Sequence, residues 1–477
     1  MTNPIWNLIE RRFDNVNGMP VTNPATGDLI AHVKTYSVDE VSTIVDRAEI
    51  ARKDWAALTA KVRAERLRDW YVQIMAHREV LASICTSECG KPLAESLGEV
   101  AYAASFIEWF AEEAKRAYGE TIPTFAAGKS VMTFKEPVGT CAAITPWNFP
   151  LAMITRKAGP ALAAGCAMIV KPAESTPLSA LALEALAMQA RIPADLFRVV
   201  PSERPAEIGG LFCSHPTIRK LSFTGSTAVG KLLLAQAAGS VKRVSMELGG
   251  NAPFIVFNDA DLDAAIDGLM ISKFRNAGQT CVCANRVLVQ EGVHDAFVAK
   301  LAKRVQSLSI GNGASVGVQI GPLIDANAVA KVSALANQAC AEGAQLVCGG
   351  AVHDAGALFF EPTVLTGVTQ DMAVASTEIF GPIVPVIKFT NEADAIRIAN
   401  QTPYGLAAYF YARDVGRIFR VLSGLECGMI AVNEGALSTE VAPFGGIKES
   451  GIGREGSRHG LDEYLEIKYA LIGGLSA

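Results

Sequence analysis

The sequence predicts an α/β protein built on parallel sheets, and three observations carry that expectation. Segments of helical periodicity alternate with short β-branched or apolar runs through most of the 477 residues. Gly, Pro and Asn punctuate the joins between them. The third observation is a strand, helix, strand succession: Gly139-Thr-Cys-Ala-Ala-Ile-Thr145 reads as a buried strand, Pro150 opens a helix through about Ala164, and Cys166-Ala-Met-Ile-Val-Lys171 is the next strand. Together these form a βαβ unit.

Taken in order, Val21-Thr-Asn-Pro-Ala-Thr-Gly-Asp28 is turn chemistry between short strands. Ser37-Val-Asp-Glu40 is a capping box, and Val41, Ile44, Val45 and Ala48 behind it recur at helical spacing. After the βαβ unit, residues 218–223 read as a further strand that leads into Thr224-Gly-Ser-Thr227 and a helix from near Ala228. A second set of alternations runs over about 251–439, with strands expected at 252–256 and 286–290. At about 150 residues per domain the length suggests roughly three domains.

Composition narrows the function classes. Half the residues are hydrophobic, so a large core is available, and a net charge of -5 argues against nucleic acid or an anionic membrane surface as partner. The longest uncharged apolar stretch, around 160–170, is about half of the ~20 residues a membrane helix needs. MTNPIWNLIERRFDN has no basic segment followed by an apolar run, so no secretory leader and a cytoplasmic location are expected. The ten cysteines are scattered, and the close pairs Cys85/Cys89 and Cys281/Cys283 have no neighbouring His, so reduced thiols and no metal site are expected.

Two glycine motifs resemble nucleotide loops without satisfying them. Gly225-Ser-Thr-Ala-Val-Gly230-Lys231 needs Ser or Thr next to ligate Mg²⁺ and has Leu232. The strand, Thr-Gly-Ser-Thr and helix still present free N–H groups and a positive dipole end to an anion. Gly451-Ile-Gly-Arg-Glu-Gly456 spells G-x-G-x-x-G but follows a Gly-rich loop instead of a strand, so it reads as a turning segment. A dinucleotide's acid is better placed in Lys171-Pro-Ala-Glu174, where a carboxylate at a strand end can accept from both hydroxyls of an adenosine ribose. Its charge favours NAD, whereas Lys171 could hold the extra phosphate of NADP; a solvated strand end is the plain alternative.

Three segments look like reaction machinery. Cys281 follows a Gly-Gln-Thr turn and could be a nucleophile, although an isolated Cys is more often an inert core residue. Glu247 stands before two glycines amid apolar residues, a setting that tunes a base towards neutral pH. Asn148, in Thr145-Pro-Trp-Asn148-Phe-Pro150, is an amide at a strand-to-helix turn, suited to donate to an oxyanion. A nucleotide-free thiol hydrolase or acyltransferase would use Cys281 and Glu247 but leave Glu174 and Glu378 without a task. A purely binding role explains none of the three.

These segments, with Lys171-Pro-Ala-Glu174, Phe223-Thr-Gly-Ser226, Glu378-Ile-Phe-Gly-Pro382 and Pro443-Phe-Gly-Gly446, resemble the aldehyde dehydrogenase superfamily in the right order over nearly the whole chain. The wording of Met153-Ile-Thr-Arg-Lys-Ala-Gly159, Ser245-Met-Glu-Leu-Gly-Gly250 and Lys273-Phe-Arg-Asn-Ala-Gly-Gln-Thr-Cys-Val-Cys283 is similar to that of its succinate-semialdehyde dehydrogenases. The resemblance implies a Rossmann-like cofactor domain over residues 1–121 and 140–249, an α/β catalytic domain over 250–450, and a small β oligomerisation arm over 122–139 and 451–477, its strands near 122–135 and 463–477. It implies Cys281 as nucleophile, Glu247 as general base and Asn148 as oxyanion-hole amide. Gly225 and Ser226 would lie beside the pyrophosphate of NAD or NADP, Glu378 at the nicotinamide ribose and Phe380 by the ring. Trp147, Lys171, Glu174 and Leu248 match other cofactor contacts, with Thr145, Pro146, Pro172, Ala173 and Gly230 in the same stretches.

For substrate, the resemblance assigns Arg156, Arg275 and Ser438 to a carboxylate distal to the aldehyde; a planar guanidinium suits it, while either Arg could instead be structural. Members that pass the acyl group to CoA generally lack the glutamate matched by Glu247, so water is the implied acceptor. The expected reaction is NAD(P)-dependent oxidation of succinate semialdehyde, with glutarate semialdehyde or another ω-oxo acid as alternatives, in a homodimer or homotetramer. Cys283 reads as a small packing residue, or as a partner of Cys281 in a strained Cys-x-Cys disulfide.

Overall fold

The computed structural model describes residues 4–475. Its first sheet has the strand order Gly451–Ile452, Arg243–Glu247, Ile218–Thr224, Thr140–Ile144, Ala167–Lys171, Phe197–Val199. All neighbours run parallel except Gly451–Ile452, which pairs antiparallel with Arg243–Glu247. Both faces of the sheet are covered by helices, which explains why Ala167–Lys171 is buried at every position and shows no alternation. The βαβ unit forms as expected, its helix running Ala152–Ala164 and ending on Gly165 at φ 101°. Ser37 caps Val38–Ala57 in a full capping box with Glu40, and the predicted turn at 21–28 joins the antiparallel strands Met19–Thr22 and Leu29–Val33.

The second sheet has seven strands, ordered Gln345–Cys348, Thr363–Thr366, Ile383–Phe389, Ala284–Gln290, Ala252–Val256, Ala407–Tyr411, Met429–Val432. Only the edge strand Gln345–Cys348 runs antiparallel. Each large sheet has its own apolar core.

A third, three-stranded antiparallel sheet is built from Thr121–Ile122, Ser130–Pro137 and Leu465–Ile472. Of the stretch 451–477 expected in a β arm, only Leu465–Ile472 joins this sheet. Residues 451–452 join the first sheet, and the helix Ser457–Asp462 packs on Ala152–Ala164 and Leu93–Glu113. The reason is burial: Glu455 and Ser457 are 4% and 5% exposed, which a projecting arm could not provide. Among the described residues no helix is long and apolar enough to cross a membrane.

One buried ion pair connects this framework to the loop after Thr140–Ile144. Lys91 and Glu99 have fully buried side chains 2.5 Å apart. Lys91 Nζ also donates to the carbonyl of Asn148 at 2.6 Å. Glu99 accepts from the backbone N–H groups of Leu151 and Ala152 at 2.9 and 3.3 Å. The helix Ala152–Ala164 has no side-chain cap of its own, so a carboxylate from a neighbouring helix satisfies its first donors and complements its dipole. Removing one partner of a buried pair costs about 3–5 kcal/mol. Lys91→Met should therefore lower the calorimetric unfolding midpoint, and adding Glu99→Gln should recover part of the loss; an unchanged midpoint in the single variant would show that the pair carries no stability.

Candidate active site

In an open parallel sheet, ligands bind outside the carboxyl ends of the strands where the strand order reverses. In the first sheet that point lies between Thr140–Ile144 and Ile218–Thr224, because the chain proceeds outward from Thr140–Ile144 to one side and returns to place Ile218–Thr224 on the other. The turns leaving these strands are Thr145-Pro146-Trp147-Asn148 and Gly225-Ser226. Ser226 caps Thr227–Ala238, accepting from Val229 N–H at 3.4 Å. Lys231, the would-be loop lysine, pairs with Glu449 at the surface, 2.7 Å away.

Cys281 is presented by a strained turn. Between Leu262–Phe274 and Ala284–Gln290 the successive residues Asn276, Ala277 and Gly278 have φ of 51°, 54° and 79°. A non-glycine residue held there carries about 1–3 kcal/mol and persists only when its surroundings hold it. The holding bonds are visible: Asn276 N–H donates to Glu95 at 2.7 Å, Asn276 Nδ2 to the Asn148 carbonyl at 3.1 Å, and Gln279 Nε2 to the Asn276 carbonyl at 3.0 Å. Asn148 Nδ2 in turn donates to the Gln279 carbonyl at 3.0 Å. Its second amide hydrogen is left for another acceptor. The Cys281 thiol is pushed up to about 12, chiefly by removal from water, with Arg156 opposing and Glu247 and Glu378 reinforcing.

Glu247 ends the strand Arg243–Glu247, is 3% exposed, and neither carboxyl oxygen has a hydrogen-bond partner. Burial first, then the nearby Glu455, hold its carboxyl well above the usual range, against Arg156 and Lys157. The side chain leans on Gly445, where a Cβ would come 2.8 Å from Glu247 Oε1. Gly445 has φ 154°, so glycine is required there twice over. Glu247 consequently lines neither of the two cavities that reach Cys281.

The larger of these cavities, about 280 Å³, brings Pro146, Trp147, Asn148, Gly225, Ser226, Leu248, Cys281, Glu378 and Phe380 together. Glu378 Oε1 accepts from Gly250 N–H at 2.9 Å, and burial raises its carboxyl. Phe380 sits at φ 55° and meets Trp147 edge-on at 5.7 Å; a bulky residue in that region marks a strained, functional wall. A Cβ on Gly249 would come 2.9 Å from Glu378 Oε2, so the backbone must be bare there. A helix start, a carboxylate and an aromatic wall around a slot fit a dinucleotide's pyrophosphate, ribose and nicotinamide. Thr145, Lys171, Pro172, Ala173 and Glu174 lie outside this cavity at the neighbouring strand end, Thr145 N–H donating to the Lys171 carbonyl at 3.1 Å. Lys171 is ion-paired with Glu174, whose side chain is 43% exposed. Gly230 is not a cavity residue; a side chain there would overlap Leu248, so it serves by letting Leu248 pack.

The smaller cavity, about 20 Å³, holds Arg156, Arg275, Ser438 and Cys281 together with Tyr102, Phe149 and Phe444. Arg275 stacks over Phe149 at 4.6 Å and is in no ion pair among the described residues. Arg156 lies over Phe444 at 4.2 Å and is ion-paired with Glu455, leaving its Nη2 without a partner. Lys157 shares the same Glu455 and donates to Thr224 Oγ1 at 2.7 Å. Burial would raise the Glu455 carboxyl, but Arg156 and Lys157 outweigh it and hold it low.

Sequence reasoning passed over Glu455, Lys157, Tyr102 and Lys331. Glu455 lies inside the G-x-G-x-x-G segment, read only as a turn. Lys331 lines the larger cavity and donates to the Glu378 carbonyl at 2.7 Å. Two adjacent cations, Arg156 and Lys157, within the otherwise largely apolar stretch 151–164 are the available signal for Lys157. Cys283 is buried and its thiol is free, directed to the Lys273 carbonyl at 3.5 Å. Among the described residues no group of three His, Cys, Asp or Glu is placed to hold a metal ion.

The aldehyde dehydrogenase family model matches residues 12–470. The chain is 56% identical over 460 residues to succinate-semialdehyde dehydrogenase (NADP(+)) of Escherichia coli strain K12, covering 96% of this chain and 95% of that protein. It is likewise 56% identical over 462 residues to glutarate-semialdehyde dehydrogenase of Pseudomonas aeruginosa, with 97% and 95% covered. The crystal structure of succinate-semialdehyde dehydrogenase from Burkholderia pseudomallei superposes with a TM-score of 0.95 at 54% identity, covering 96% of this chain and 95% of that one.

The raised thiol generates a pH prediction. With the ligand-free Cys281 at about 12, the thiolate is a minor species at neutral pH and its fraction grows ~tenfold per pH unit. Alkylation of Cys281 by iodoacetamide, followed by mass spectrometry, should accelerate accordingly from pH 7 to 9; a plateau already reached at pH 7 would contradict the raised thiol of this half-buried residue.

Proposed function

This chain belongs to the aldehyde dehydrogenase family, and we propose that it oxidises succinate semialdehyde to succinate with NAD, or NADP, as acceptor. The observation that carries the reading is the cavity holding Cys281 with Arg156, Arg275 and Ser438. A guanidinium with no carboxylate partner, next to a nucleophile, is the group expected to receive a substrate carboxylate. The names of the relatives support the same substrate class.

Cys281, as thiolate, adds to the aldehyde carbon and forms a thiohemiacetal. Asn148 Nδ2 and the Cys281 N–H hold the oxyanion, each such donor contributing ~10²–10³ in rate. The bound nicotinamide nucleotide supplies the two-electron oxidation that leaves a thioester on Cys281. Glu247 rotates from Gly445 towards the thioester and takes a proton from water; the water oxygen adds to the acyl carbon, the C–S bond breaks, and acid and free thiol result. Because its carboxyl is raised, Glu247 becomes a competent base only as pH rises, so hydrolysis should quicken with pH in this enzyme and be lost in Glu247→Gln.

Glu174 at the adenosine end supports a preference for NAD, with Lys171 close enough to serve NADP. The arm supports a homodimer or homotetramer: Ile467, Tyr469 and Leu471 on its long outer strand are exposed, as an isolated subunit would rarely leave them. A cytoplasmic location accords with the chemistry of a free catalytic thiol.

Initial rates of nicotinamide reduction with succinate semialdehyde, glutarate semialdehyde and propanal, each with NAD and NADP, test the reading. Arg275→Ala should raise KM for succinate semialdehyde by ~10–100-fold while sparing propanal; an equal loss for both would assign Arg275 a structural role. Glu174→Ser should shift kcat/KM towards NADP.

A further inference from the structure

The hydroxyl of Tyr102 is buried beside Arg156, and no acceptor for its proton is found among the described residues. Tyr102 belongs to the helix Leu93–Glu113, and its ring meets Phe106 edge-on with centroids 4.9 Å apart, so apolar packing sets the direction of the phenol. The residue lines the cavity that contains Arg156, Arg275, Ser438 and Cys281. A buried phenol whose proton has no acceptor is unusual, because its lost contact with water is not replaced.

The neighbours explain what is missing. A guanidinium has donors and no acceptor, whereas a phenol has one proton to give and an oxygen that accepts. The Arg156 guanidinium donates towards the phenol oxygen, which accepts. The phenol proton then still needs an acceptor, and the two guanidinium groups of the cavity cannot be one. Burial raises the phenol, and although Arg156 and Arg275 pull the other way, the net shift is upward, so the proton is present to be donated at neutral pH.

On the reading that this cavity receives the distal carboxylate of the substrate, we propose that Tyr102 donates its hydroxyl to that carboxylate and is a specificity-determining residue beside Arg275, Arg156 and Ser438. A carboxylate offers two oxygens with about four lone-pair positions. The fork of Arg275 takes one on each oxygen, and the phenol takes a remaining one without adding charge to a site that already holds two guanidinium groups. An aldehyde of the same length ending in a methyl group would leave the phenol unpaired, so Tyr102 both selects the acid and disfavours its neutral analogue.

The test is Tyr102→Phe in the full-length enzyme, which keeps the ring and its packing. KM for succinate semialdehyde should rise about tenfold or more with kcat largely retained, while kcat/KM for butanal changes less than about twofold. Succinate, a non-reacting dicarboxylate, should lose a similar factor as a competitive inhibitor, and the unfolding midpoint should not fall. Equal effects on succinate semialdehyde and butanal, or no change in either, would overturn the role of Tyr102. If the wild-type enzyme itself fails to prefer succinate semialdehyde over butanal, the carboxylate reading of the cavity falls and Tyr102 with it. If the wild type shows the preference, Arg275→Ala loses it and Tyr102→Phe keeps it, Tyr102 alone is excluded.

Discussion

Two adjacent cations, Arg156 and Lys157, share one buried carboxylate, Glu455, and the geometry of the catalytic centre depends on that arrangement. Successive residues on a helix point about 100° apart, so the pair spreads from one stem: Arg156 turns to the small cavity and Lys157 to Thr224 at the end of its strand. Burying either cation alone would be prohibitive, and burying both beside each other more so. Glu455 makes it tolerable, and a reciprocal backbone pair with Phe444, both bonds 2.8 Å, fixes its segment in turn. The Glu247 carboxyl is raised first by burial and then by this same carboxylate, so the charge that stabilises the helix also bears on Glu247.

Where the sequence was legible, continuous runs made it so. Thr140–Ile144, Ala167–Lys171 and Ala252–Val256 are buried on both faces, and their unbroken apolar character identifies them within a residue or two. The capping box of Ser37 and Glu40 is equally readable, because capping is decided by residues close in sequence. The resemblance carried the roles of Cys281, Glu247 and Asn148, and the fold brings Cys281 and Asn148 to one cavity. Glu455 was hidden for a physical reason: its partners lie 298 and 299 positions earlier in the chain, and its own neighbours are glycines that suggest only a turn. The pairing of Gly451–Ile452 with the first sheet is hidden for the same reason, since a two-residue strand is defined by what it pairs with and not by what it contains.

Several buried polar atoms near Cys281 lack partners: Asn148 Oδ1, both oxygens of Glu247 and Arg156 Nη2, as do others elsewhere in the fold such as Trp70 Nε1 and Thr176 Oγ1. Arg286, equally buried, donates to the carbonyls of Asn251, Ile398 and Ala399. An unpaired group that lines a cavity, as Asn148 and Arg156 do, is open to a ligand. A site preorganised in this way stabilises charge as it develops, because its dipoles need not be turned at the moment of reaction.

The strained turn that carries Cys281 has a further consequence. Arg275 opens that turn, and three left-handed residues fold the intervening chain back so that guanidinium and sulfur face one small cavity. The separation between the guanidinium proposed to receive the carboxylate and the sulfur proposed to attack the aldehyde is thus set by a handful of covalently linked residues. It works as an internal ruler whose length is fixed within one stretch of chain. Lengthening the accepted substrate by one carbon would accordingly call for recutting the turn itself, since trimming the surrounding walls leaves both ends of the ruler where they are.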